Sequence, residues 1–252
     1  MIHRKDHDGV AVLRMEHGKA NAVDAKLFSE LGDKLDQAAA DSSVRAVVLT
    51  GSGKIFSAGV DLFQVTNGGP EYLEKFLPYI SARVCQIFEL PLPVVAAING
   101  HAIAGGAVLA MAADRRLMAD GKGRIGLTEL LVGVPFPTAA LEAMRAAVSG
   151  ATLHDLILTG KTVLPNDALG LGMVDEVVTP EDLEARAVEA AAMLGKIPRD
   201  AFRLTKAHLR QPVLERIRRL EPEIDAQVLE IWSRQETLDG ISRFLEATVG
   251  KK

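Results

Sequence analysis

Two short glycine-containing turns, each leaving an apolar strand and opening toward a helix, most constrain what this chain can fold into. The first, Ile55-Phe56-Ser57-Ala58-Gly59-Val60-Asp61-Leu62, follows the strand-like Arg45-Ala46-Val47-Val48-Leu49-Thr50. The second, Asn99-Gly100-His101-Ala102-Ile103-Ala104-Gly105-Gly106-Ala107, follows Pro93-Val94-Val95-Ala96-Ala97-Ile98. Both leave backbone N–H groups free at a helix start, where orphan donors and the helix dipole favour negative charge. Two such turns face to face make a site for an oxygen that becomes an anion during reaction. That points to enolate or acyl chemistry rather than to simple binding. Taken singly, each turn reads equally well as an ordinary strand–helix connection.

The pattern around the turns predicts an α/β fold. Residues 10–15 read as a strand. Asp24 caps a helix over 25–40, with Leu27, Leu31, Leu35 and Ala38 at helical spacing. Residues 65–70, Val-Thr-Asn-Gly-Gly-Pro, read as a mobile break before a helix from 71 to about 90, which Pro91 and Pro93 stop. A further strand is expected over 115–119. This alternation predicts a largely parallel or stacked sheet. After Pro137 the pattern is helical over 141–145 and 153–158, with a short strand over 173–178. Helical periods then cover 180–194, 201–209, 213–231 and 237–248, with Pro222 expected as a break or kink. The expected organisation is a core of strand–helix units over 1–195 and a helical region over 196–252.

Charge and cysteine usage exclude several classes. Lys and Arg number 29 against 33 Asp and Glu, a net −4. Neither sign dominates, so no nucleic-acid or membrane partner is expected, while a local basic patch for a phosphorylated ligand stays open. The single cysteine, Cys85, excludes an internal disulfide and predicts a reducing, cytoplasmic setting. Its helix-like run reads as a site for a buried structural thiol rather than a nucleophile. No apolar run reaches the ~20 residues that span a bilayer. The charged N-terminus lacks a signal-peptide core, and Gly250-Lys251-Lys252 carries no targeting motif. His3, His7, His17, His154 and His208 form no close metal-ligand pattern, so no metal and no cofactor is expected. Ser57 lacks the Gly-x-Ser-x-Gly elbow of a hydrolase nucleophile.

The turns, in order with their neighbours, resemble the crotonase (enoyl-CoA hydratase/isomerase) superfamily. The resemblance rests on Asn21-Ala22-Val23-Asp24, on the two turns, on Asp114 followed by Arg116, on 125–133 (Ile-Gly-Leu-Thr-Glu-Leu-Leu-Val-Gly) and on 168–175 (Ala-Leu-Gly-Leu-Gly-Met-Val-Asp). Each piece is weak alone; their order and spacing cover nearly the whole chain. The resemblance implies a spiral of ββα units with a C-terminal helical region that trimerises, commonly as a dimer of trimers. It implies an acyl-CoA thioester as substrate. By the family pattern, the N–H groups of Val60 and Gly105 form the oxyanion hole. Lys19, Ala20 and the stretch Phe56, Ser57, Ala58, Gly59, Val60 and Asp61 line the CoA path. Phe244 approaches the CoA of a neighbouring subunit. Leu62, Gly106, Val108 and Phe136 complete the expected substrate contacts, with 63–72 and Trp232 as further pocket walls.

Hydratases of this family use two glutamates. Here the first position is Val108 and the second is Glu129. Adding water to a C=C bond needs an activated water and a proton donor, work that two carboxylates divide. Moving a double bond from the 3,4 to the 2,3 position needs one base that takes an α-proton and returns it at C4. The apolar Val134-Pro135-Phe136-Pro137 also replaces a glycine-rich turn common in hydratases and looks more like the mitochondrial-type isomerases. The leading expectation is therefore a Δ3-Δ2-enoyl-CoA isomerase with Glu129 as proton shuttle. A hydratase using Glu129 alone and a non-catalytic acyl-CoA binder remain as alternatives. For Glu129 itself, the plain alternative is a glutamate on a solvated helix face; Leu127 and Leu130-Leu131-Val132 argue for partial burial. His101 and Asp61 are expected to brace their turns, and Asp114 to form a structural ion pair. Arg216, Arg218, Arg219 and Arg243 are expected on solvated helix faces or subunit contacts.

Overall fold

A computed structural model describes residues 1–249. Gly250-Lys251-Lys252, where the sequence shows no targeting motif, lie outside the described residues.

The chain opens with a hairpin, β1 (Ile2–His7) and β2 (Val10–Met15), paired antiparallel. The first strand was not expected. Its run of charged residues hides the period, but Asp8-Gly9 between the strands, at φ 47 and 85, is the two-residue hairpin signal. Helix α1 (Ala25–Ala40) follows, capped as expected by Asp24, which accepts from the Leu27 N–H. Then come β3 (Ala46–Thr50), β4 (Ile55–Ser57), α2 (Leu62–Glu89), β5 (Val94–Ile98), β6 (His101–Ile103), α3 (Gly105–Ala112), β7 (Arg115–Ala119) and β8 (Ile125–Gly126). This is strand–strand–helix twice over, and each short second strand is the start of one of the two glycine turns. A 3-10 turn at Glu129–Val132 leads to α4 (Thr138–Ala147), α5 (Gly150–Thr159), β9 (Thr162–Val163), α6 (Pro165–Gly170), β10 (Glu176–Val178) and α7 (Leu183–Gly195). Helices α8 (Arg199–Ser233) and α9 (Gln235–Val249) close the chain.

Among the described residues the strands form two sheets. A six-stranded sheet runs β1-β2-β3-β5-β7-β10, parallel except at β1. A four-stranded sheet runs β4-β6-β8-β9. The long strands β3 and β5 are buried on both faces, which is why they read as unbroken apolar runs. Pairing of β4 with β6, also parallel, sets the two glycine turns side by side.

The expected break within 65–70 falls at Gly69, where two helical segments of α2 meet at a non-helical φ of 55 and ψ of −149 that suit a residue without Cβ. One helical expectation is corrected: Pro212 and Pro222 do not divide the C-terminal helices, because α8 passes through both. Its buried face, Leu214, Ile217, Val228 and Trp232, packs into the same apolar core as α2 and α4. Burial over that length outweighs the ~3 kcal/mol that an interior proline costs.

Candidate active site

The first turn is held open by its neighbours. The Val23 N–H donates to Gly59 O (2.7 Å) and the Asp61 N–H donates to Val23 O (2.9 Å). This parallel bridge faces Val23, so the intervening Val60 N–H points the other way. Among the described residues it has no acceptor. Asn21, buried at φ 45, braces the turn from below: its side-chain amide donates to Ile55 O (3.1 Å) and Phe56 O (3.3 Å). The Ser57 hydroxyl donates to Asn21 O (2.7 Å) and accepts from the Gly59 N–H (3.2 Å). Asp61 caps α2, accepting from the N–H groups of Phe63 and Gln64.

The second turn opens α3 through Ala104, at φ 50 and ψ −122. An alanine rarely adopts that conformation, which costs of order 1–3 kcal/mol. It is held by the bond from the Ala104 N–H to Gly126 O (2.8 Å). The strained residue aims the first free N–H of α3, that of Gly105, toward the first turn. A Cβ placed at Gly59, itself at φ 87, would lie 3.2 Å from the Gly105 nitrogen and 2.9 Å from Ile103 O. One placed at Gly105 would lie 3.7 Å from the Val60 nitrogen. So Gly105 has no packing need to be glycine; its missing Cβ leaves open the space between the two free N–H groups. An oxygen seated there meets two preorganised donors.

Glu129 lines the same cavity as Val60 and Gly105. The cavity is walled by apolar side chains from several elements, among them Val60, Val108, Val132, Phe136 and Trp232. Glu129 is the single titratable side chain among the described residues that line it. It is 8 % exposed, and its Oε2 is buried without a hydrogen-bond partner. Burial pushes its carboxyl up to about 8, opposed in part by the backbone N–H groups of Glu129 and Thr128. A carboxyl with that poise exchanges protons near neutral pH. Leu130 and Leu131, expected to shelter it, are exposed instead. The Gly133 turn, at φ 79, closes the 3-10 segment and lets Glu129 point inward while the two leucines point out.

The structure sorts the other expected residues. Ala58, Val60, Leu62, Gly105, Val108, Phe136 and Phe244 line the cavity with Glu129. Lys19 and Ala20 sit beside its rim, where the Ala58 N–H donates to Ala20 O (3.0 Å). Phe56, Ser57 and Gly106 are buried and are not among the residues that line the cavity. Phe56 fills the core, Ser57 bonds to Asn21, and Gly106 packs against the Ser57 backbone. Asp61 turns its carboxylate back to cap α2, and Gly59 is a contact between turns rather than a wall. Phe244 meets the cavity of its own chain, whereas the resemblance pointed to a neighbour's. Residues 63–72 do not line it; Ile80, further along α2, does. The walls that sequence reasoning missed, Ile80, Val134 and Ala140, carry no signal of their own beyond an apolar period.

Asp114 forms its ion pairs, with Lys206 (2.7 Å) and Arg210 (3.0 Å). Burial pushes the Cys85 thiol up to about 11, which suits a structural role. Arg216 and Arg218 pair with Glu142 and Glu89. Among the described residues no three His, Cys, Asp or Glu side chains gather as a metal site, and no helix is long and apolar enough to cross a membrane.

Comparison with known proteins bears on this geometry. The family described as enoyl-CoA hydratase/isomerase matches residues 5–250. A putative enoyl-CoA hydratase of Thermus thermophilus is 36% identical over 205 residues, 80% of each chain. The human mitochondrial enoyl-CoA delta isomerase 1 is 30% identical over 211 residues, covering 83% of this chain and 70% of that one. The crystal structure of human mitochondrial delta3-delta2-enoyl-CoA isomerase superposes with a TM-score of 0.95 over 100% of this chain and 99% of the other, at 26% identity. Two backbone donors and a buried glutamate thus line one cavity in a chain that carries a known pattern over nearly its whole length: it belongs to the enoyl-CoA hydratase/isomerase (crotonase) family of enzymes.

Proposed function

We propose that this enzyme converts a 3-enoyl-CoA into the 2-enoyl-CoA, with Glu129 as the only proton carrier. The observation behind this reading is the isolation of Glu129: the described lining offers one carboxyl, and apolar Val108 stands where a second would serve hydration. The ionised Glu129 takes a proton from C2 of the substrate. The electron pair left behind moves into the C1–C2 bond, and negative charge gathers on the thioester oxygen. The N–H groups of Val60 and Gly105 hold that oxygen, each worth about 2.7–4 kcal/mol in the transition state. Glu129, now protonated, delivers the same proton to C4, and the double bond settles between C2 and C3. No atom is gained or lost, and no cofactor beyond the CoA thioester is needed. The apolar walls keep water from the dienolate.

The relatives' names support both isomerase and hydratase activity, so product identity is the test. The enzyme is given 3-hexenoyl-CoA and 2-hexenoyl-CoA in parallel, and products are separated chromatographically and read by mass and by the ultraviolet absorbance of the conjugated 2-enoyl thioester. Isomerisation keeps the mass; hydration adds one water. Faster isomerisation is expected. Faster hydration would make the chain a hydratase, and tight binding without turnover of either would make it an acyl-CoA binder. The trimer-based assembly implied by the resemblance belongs to this reading too, and the mass in solution tests it.

A further inference from the structure

The exposure of the lining residues gives the cavity a direction. Of its lining, Ala58 and Phe244 are exposed, so the cavity opens to solvent beside them. Phe136, Ala140 and Trp232 are buried, at 8, 3 and 2 % exposure, so its wall is closed there. Val60, Gly105 and Glu129 line the same cavity. A CoA thioester entering beside Ala58 would direct its acyl tail to the closed, apolar lining that includes Trp232. The Trp232 indole N–H is already committed to Pro135 O (3.0 Å), so nothing there receives a polar or charged substituent.

The wall is also fixed. Asp225 of α8 accepts from both the Thr138 N–H (2.8 Å) and the Thr138 hydroxyl (2.6 Å). Asp225 and Trp232 are seven residues apart, two turns along one face of α8. They grip the segment from Pro135 to Thr138 at both ends, so the indole cannot swing aside without breaking its bond to Pro135. The whole cavity measures about 120 Å³. An apolar cavity of about 150 Å³ holds one benzene, so this one takes roughly five carbons in all.

We infer that the acyl subsite takes a short, unsubstituted hydrocarbon tail, and that Trp232 is the specificity-determining wall that sets its length. This rests on the enoyl-CoA reading above and narrows its substrate class.

The test measures binding and turnover separately. Saturated acyl-CoAs of four, six, eight and ten carbons are titrated calorimetrically, and the matching 3-enoyl-CoAs are assayed where they exist. Each methylene that finds room is worth about fourfold in affinity, and one that does not gains nothing. Wild type should gain up to about six carbons and then level or fall. Trp232→Ala should carry the gain on to ten carbons, raising the ten-to-six ratio by on the order of tenfold or more. A wild-type profile that keeps rising to ten carbons, or a Trp232→Ala profile parallel to wild type, overturns the inference. Should Trp232→Ala fail to fold, Ala140→Leu adds bulk at the same end without emptying the core. It should lower the six-to-four ratio by about fourfold or more, and an unchanged ratio would count against the inference. If the binding profiles behave as expected but no 3-enoyl-CoA is isomerised, the length assignment stands and the isomerase reading falls.

Discussion

At the scale of single residues, the proposed chemistry turns on Glu129 and on what is missing beside it. Its place in the chain was legible from the motif around it. The cause of its burial was legible only in part: Leu127 is buried as expected, but Leu130 and Leu131 are exposed, and the cavity beside Glu129 is walled by Val60, Val108 and Trp232, far away in sequence, as well as by the nearer Val132 and Phe136. A neighbour-based reading cannot see walls brought in from distant elements. The raised carboxyl has a consequence with a definite sign. In the proposed isomerisation Glu129 acts first as a base, so only its ionised form in the free enzyme is productive. With the carboxyl pushed up to about 8 by burial, kcat/KM should rise about tenfold per pH unit below that value and level off above it. A profile that is flat through neutrality, or that falls toward alkaline pH, would contradict a proton-accepting Glu129.

At the scale of elements, the two turns work because they touch. A Cβ at Gly106 would lie 2.3 Å from Ser57 O, which is backbone and cannot step aside. Gly106→Ala must therefore push the second turn away from the first and carry the Gly105 N–H with it. A displacement of about 1 Å in such a site can lower the rate by on the order of a hundredfold. Overpacking there should also lower stability by about 1–3 kcal/mol. Paired steady-state kinetics and urea unfolding check both effects; a variant with wild-type kcat would show that the contact between the turns is not needed. The sequence pattern located these turns and the helices after them, because capping, glycine and apolar period are local signals. Gly-Gly-Pro at 68–70 likewise announces the break at Gly69 in α2. The pattern failed where tertiary packing overrides local signals: in α8 the buried face carries the helix through two prolines. Ala104 was invisible for the opposite reason: nothing in its side chain announces a left-handed backbone.

At the scale of the whole molecule, the C-terminal helices complete a site begun by the strand–helix units. Helix α8 supplies Trp232 to the cavity and α9 supplies Phe244. The long helix is moored at its other end by Asp114, which follows α3. Asp114 accepts from the Val94 N–H, from Lys206 and from Arg210, whose guanidinium lies 3.9 Å over the Phe88 ring. Burial lowers the Lys206 ammonium, and Asp114 counters that shift. Removing the carboxylate leaves buried cations unpaired, so Asp114→Ala should cost about 3–5 kcal/mol in urea unfolding. A loss below about 1 kcal/mol would mean that the cluster is not what anchors α8. All of this architecture delivers one carboxyl to one pair of donors, and that is the claim to test most directly. The measurement is turnover of 3-hexenoyl-CoA by Glu129→Gln, an isostere that keeps the cavity's shape and removes its base. Loss of proton transfer predicts a fall in kcat of about a hundredfold to ten-thousandfold, with substrate affinity little changed. A Glu129→Gln enzyme that isomerises at the wild-type rate would contradict the account.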